Sequence, residues 1–99
     1  MTRGTTPTHE FRLPFNVSQV KEAMVIYAQN DIEVFRKVTG DCNMEGDVIS
    51  VTLTQEETLM FNHKQNVQVQ LRILTTENVA LASTVSVISA QKCLNNEVL

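Results

Sequence analysis

From Val67 to Ile73 the chain alternates without a break: Val67, Val69, Leu71 and Ile73 are apolar, and Gln68, Gln70 and Arg72 stand between them. Successive side chains of an extended strand point to opposite faces, so this spacing gathers all four apolar groups on one side. A helix would scatter them around its axis. The segment is therefore predicted to be a strand with one dry face and one wet face, and the dry face needs a second layer to cover it. Ile49, Val51 and Leu53, alternating with Ser50 and Thr52, repeat the pattern.

The other segments fit the same plan. Residues 22–29 carry Ala23, Val25 and Tyr27 on one face and Met24, Ile26 and Ala28 on the other, which predicts a central strand covered on both sides. Residues 9–13 present Phe11 and Leu13, and Pro14 ends that strand by removing a backbone donor. Residues 32–38 are expected to turn Ile32, Val34 and Val38 inward, interrupted by Arg36. Residues 79–89 are expected to form one long strand with Val79, Leu81, Val85 and Val87 on a single face, and residues 42–44 give a fainter pairing signal. Asn30-Asp31 sits at two-residue hairpin spacing, and both residue types tolerate the left-handed backbone of such turns. Thr54-Gln55-Glu56-Glu57 has capping-box spacing, placing Leu59, Met60 and Phe61 to roof the core. Asn16 is placed to cap a second turn carrying Val17 and Val20.

These elements predict an all-β fold: an immunoglobulin-like β-sandwich of about seven mostly antiparallel strands with one or two short helical turns. It is expected to be a single domain over residues 1–99, with residues 1–7 flexible. The sequence has no tryptophan and lacks the cysteine spacing of antibody domains, so the expected likeness is one of architecture.

Composition narrows the function. The apolar share of 42% against 19% charged residues supports a folded core. The net charge of -3 and the scatter of the 8 Lys and Arg residues argue against nucleic acid, whose backbone demands clustered cations. The longest apolar run, residues 23–28, is strand-sized, so no membrane partner is expected. The opening residues lack the apolar core of a signal peptide, which predicts synthesis in the cytoplasm. Asn16-Val17-Ser18 matches a glycosylation sequon and is read as chance in that compartment.

Residues that carry chemistry stand apart. His9, Cys42, His63 and Cys93 are the candidate zinc ligands, yet none comes as the close pair that small metal domains use. A nucleophile at Cys42 with His63 or His9 needs a lowered thiol pKa, whereas the neighbouring Asp41 would raise it. Glu57 has its capping task, and Glu56 beside it points elsewhere, so shared acid–base work is disfavoured. The expectation is a protein without catalytic, cofactor-binding or metal-binding residues and not an enzyme. Cys42 and Cys93 are expected to stay reduced thiols. Three features are left as candidate contact surfaces: the Gln68, Gln70 and Arg72 face, Phe35, and the apolar C-terminus with Leu94, Val98 and Leu99. Phe35 falls opposite Ile32, Val34 and Val38, and packing under a loop is preferred to an exposed anchor.

The opening Arg3-Gly4-Thr5-Thr6-Pro7-Thr8-His9-Glu10-Phe11, followed by Leu13-Pro14-Phe15, resembles that of small prophage proteins from Firmicutes. The resemblance continues at Ile26-Tyr27-Ala28-Gln29-Asn30, from Val51 through Thr58, from Val67 through Arg72, and at the terminal Leu94-Asn95-Asn96-Glu97-Val98-Leu99. Those proteins are similar to the N-terminal β-sandwich module of phage baseplate upper proteins, which anchors larger tail parts. The resemblance implies a virion structural or assembly protein, associated with a tail or baseplate, that binds itself or other virion proteins. A homo-oligomer and incorporation into the virion follow from that expectation. In baseplate proteins further domains follow the module. The alternative is a standalone non-catalytic binding module of a bacterium, reading protein or carbohydrate.

Overall fold

The computed structural model describes residues 1–99. The alternating segment becomes β6 (Val67–Thr75), which pairs along most of its length with β2 (Val20–Gln29). β3 (Ile32–Val38) flanks β2 on the far side. β7 (Ala80–Ala82) and β8 (Ser86–Ile88) follow one another along the free side of β6, completing a five-stranded sheet. The second sheet has three strands: β5 (Val48–Thr52) in the middle, with β1 (Thr8–Arg12) and β4 (Asn43–Glu45) at its edges. All these pairings are antiparallel.

The two sheets close over each other through the sides that alternation predicted. Ala23, Val25 and Tyr27 of β2 and Val67, Val69, Leu71 and Ile73 of β6 meet Ile49 and Val51 of β5. Leu53 and Phe61 close one end of this core. The turns are those read from the sequence. Asn30 and Asp31 adopt φ of 52 and 63, the left-handed pair of a tight hairpin. Thr54 caps α1 (Gln55–Leu59), accepting from the Glu57 N–H at 3.1 Å, while the Glu57 carboxylate accepts from the Thr54 N–H at 2.9 Å. Asn16 accepts from the Ser18 N–H and starts a short 3-10 turn.

Three expectations need correction. The inner face of β3 is not the alternating set: Val34 is half-buried against the core, but Ile32 and Val38 are not buried. The β2–β3 ladder shifts between Tyr27 and Ala28, so Phe35 pairs with Tyr27 and Lys37 with Val25. One extra residue reverses the parity of everything beyond it. Phe35 and Lys37 therefore enter the core side, and Ile32 and Val38 are 70% and 46% exposed.

Residues 79–89 are not one strand. Ser83 breaks them: its N–H donates to the Leu71 carbonyl and its Oγ accepts from the Leu71 N–H, so a side chain replaces the backbone partner and the ladder stops. Val79, Leu81, Val85 and Val87 remain exposed. β2 is central in its sheet, as expected, but nothing covers its outer side, where Met24, Ile26 and Ala28 are only half-buried. Of the predicted roof, Phe61 is fully buried, Leu59 half-buried and Met60 exposed.

Residues 1–7 make hydrogen bonds to distant parts of the chain. The terminal ammonium of Met1 donates to the Ser89 carbonyl, Arg3 N–H to the Gln91 carbonyl, and Gln91 N–H back to the Met1 carbonyl. Gly4, in the left-handed region at φ 78, donates its N–H to Thr58 Oγ1 at 2.9 Å. Thr58 is fully buried, and its hydroxyl lies within bonding distance of the Thr5 and Gln55 carbonyls. Thr58→Val keeps the shape and orphans the Gly4 donor. It is expected to cost about 1–3 kcal/mol in urea unfolding, with earlier proteolysis of the first residues.

Candidate interaction surface

The densest cluster of polar side chains lies between the sheets, and it is structural in character. Tyr27 projects from β2 into the core, and β1 brings His9 to meet it: His9 Nδ1 and the Tyr27 hydroxyl share a 2.7 Å hydrogen bond. Phe35 stacks on the Tyr27 ring at 4.9 Å, and Phe61 lies 5.3 Å from Phe35. Burial lowers the His9 pKa, helped by the N-terminal charge, and burial raises that of Tyr27, helped by Glu57 and Cys42. Both groups are thereby held neutral. Next to them Lys37 donates to Glu57 Oε1 at 2.7 Å, with side chains 12% and 23% exposed. Burial acts to raise the Glu57 carboxyl, but the Lys37 ammonium and the Thr54 N–H outweigh it and hold the group below its ordinary value. This ion pair was invisible in the sequence because the bulge that turns Lys37 inward leaves no residue signature.

Cys42 keeps its proton. Burial and then Asp41 push its pKa up against the pull of Lys37, and its Sγ donates to the Val38 carbonyl at 3.3 Å. A thiol in this state is a poor nucleophile. Cys42 and Cys93 are both free, His63 is exposed in a turn, and Glu56 points outward while Glu57 points in. His9, Cys42, His63 and Cys93 are not brought together, and no three His, Cys, Asp or Glu side chains converge on a common point.

The three surface candidates differ in what the fold leaves free. Gln68 and Asp31 hold each other twice at 2.8 Å, pinning the β2–β3 turn, and Gln70 donates to the Ser83 carbonyl at 2.9 Å. Of that stripe only Arg72 is exposed. Phe35 is packed and not an exposed anchor, but it packs against the core on the ring of Tyr27 and not under a loop. The C-terminal residues add no strand. Leu99 exchanges two hydrogen bonds with the Gln55 side chain, while Leu94 and Leu99 stay almost wholly exposed.

The sequence did not single out the edge of β1. The Pro7 carbonyl accepts from the Leu53 N–H and the Leu13 N–H donates to the Asp47 carbonyl, at the two ends of β5, so by alternation the N–H and C=O groups of Thr8, Glu10 and Arg12 point away from β5. No backbone partner meets them. Beside this edge the sheets part into a groove of about 500 Å³, lined by Phe11, Leu13 and Phe15 on one side and Leu71, Ile73 and Leu81 on the other. An open ladder bordering an apolar groove is a site suited to receiving another strand.

No family model and no curated protein sequence matches the chain. Among solved structures it resembles the extracellular domain of mouse leukocyte-associated immunoglobulin-like receptor 1, crystallised as a strand-swapped dimer. That match has TM-score 0.54 and 11% identity over 93% of this chain and 85% of that one. A second structure of that domain gives 0.50 at the same identity, and the V domain of amphioxus IgVJ-C2 gives 0.38 at 7%. The fold is thus an immunoglobulin-like β-sandwich. In antibody domains a disulfide joins the two sheets. Here the His9–Tyr27 hydrogen bond makes a side-chain link between them.

The internal polar groups set a pH dependence. The folded pKa of His9 lies below 6.5, so the unfolded chain takes up the proton first and stability falls as pH drops below 6.5. Glu57 is also depressed, so its contribution is present above 4.5 and is lost as pH falls further. Urea midpoints are expected to decline in two stages on acidification. His9→Gln should remove the first stage and Glu57→Gln the second.

Proposed function

We propose that this chain is a non-catalytic protein-binding module that serves as a structural or assembly part of a phage or prophage virion, associated with its tail or baseplate. The observation that carries the binding role is the open β1 edge beside an apolar groove. Inside the sandwich the acid–base groups are neutral or ion-paired and the thiol at Cys42 is protonated, which supports a role other than catalysis. The sequence resemblance to prophage proteins supports the virion setting.

A carbohydrate-reading module fits less well. Such a site stacks sugar on exposed aromatic faces, whereas Tyr27 and Phe61 are fully buried and Phe11, Phe15 and Phe35 are half-buried. The virion role predicts that particles purified from an induced lysogen contain this chain at a fixed ratio to the tail proteins by quantitative mass spectrometry. Its presence only in the particle-free lysate would favour the standalone bacterial module.

A further inference from the structure

The free edge of β1 reads Thr8, Glu10 and Arg12, and the side chains of Glu10 and Arg12 are exposed on the outer side of the sheet. Between them Phe11 turns inward to the mouth of the groove. Two copies of an edge can pair antiparallel about a two-fold axis, and the register decides which side chains meet. If the axis passes through Glu10, two carboxylates face each other, and if it passes through Arg12, two guanidinium groups do. Centred on Phe11, each Glu10 lies opposite the other copy's Arg12 in a hydrogen-bonded pair. Phe11 then meets its symmetry mate at the close, non-hydrogen-bonded position. Among these registers, only that one converts like-charge opposition into two cross-strand ion pairs.

We propose that β1 pairs with β1 of a second copy of this chain in that register, joining the two three-stranded sheets into one continuous sheet. The proposal deepens the protein-binding reading above by naming the partner and the contact. The edge is free to accept it because the opening residues bond to Ser89 and Gln91 next to the other sheet and leave it uncovered. Arg12 can serve both partners: one of its nitrogens already lies 3.3 Å from Asp47, and the rest of the guanidinium fork is unoccupied. Leu81, 42% exposed on the groove's far wall, is brought close to the contact.

The register is tested by charge exchange, read by sedimentation velocity across protein concentration, with circular dichroism and thermal melting confirming the fold of each variant. The wild-type chain is expected to dimerise. E10R places four arginines at the contact and R12E places four carboxylates, and each should weaken self-association by about tenfold or more. A 1:1 mixture of the two variants should recover a mixed dimer, because every arginine then faces a carboxylate, and the E10R/R12E double variant should recover its own. A wild-type chain that stays monomeric, or a dimer indifferent to E10R and R12E, overturns the proposal. These measurements use the isolated chain and the virion test uses purified particles, so a monomeric chain found in particles would reject self-pairing and keep the virion role.

Discussion

The fold turns on Tyr27. Its ring is fully buried near the C-terminal end of β2, and a buried phenol requires a hydrogen-bond partner. The partner is His9 on the opposite sheet, so one side chain holds β1 against β2 across the core. Its ring also receives Phe35, which fixes the parity of β3 and sends Lys37 inward to Glu57. Glu57 in turn caps α1, whose Thr58 anchors the opening residues. Aromatic pairs of this kind contribute about 0.5–1.5 kcal/mol beyond their buried area, and here one pair sets the placement of several elements.

The Phe35, Lys37 and Glu57 part of this network gathers at β3 and the cap of α1. On the opposite side β1 and β7 each end their sheet, and between them the walls stay apart. The asymmetry has a chain-level cause. The first residues bond beside the end of the five-stranded sheet, where Thr2 pairs in parallel with Gln91, and not alongside β1. One sheet thus gains cover at its end while the other keeps an open ladder. Edge strands are ordinarily shortened, charged or covered to prevent pairing. The edge of β1 is charged, with Glu10 and Arg12 of opposite sign two residues apart, a spacing that repels some partners and matches a copy of itself.

Much of the architecture was legible because alternation is a direct image of burial. Val67 to Ile73 and Ile49 to Leu53 fell inward as read, and the capping box at Thr54 and the Asn30-Asp31 turn formed where local chemistry placed them. Two of the failures share one physical origin. The bulge that inverts β3 and the Ser83 interruption between β7 and β8 are single-residue events, and a period-two pattern carries no mark of a one-residue shift. The candidate surface was illegible for a different reason. Exposed apolar groups and exposed charges look ordinary in a sequence, and only strand order reveals that β1 lies at an edge. The Gln68, Gln70 and Arg72 stripe misled in the opposite sense, since Gln68 and Gln70 are bound to the chain's own turns.

In the proposed function the binding site is a backbone edge and its apolar flank, and the interior holds that edge in place. Residue-resolved amide hydrogen exchange, followed at low and at high protein concentration, tests this most directly. The amides of Glu10 and Arg12 should exchange freely in dilute solution and become protected as concentration rises, while those of Phe11, paired with β5, and Leu13, bonded to the Asp47 carbonyl, stay protected throughout. Concentration-independent exchange at Glu10 and Arg12, or new protection appearing at another edge, would contradict it.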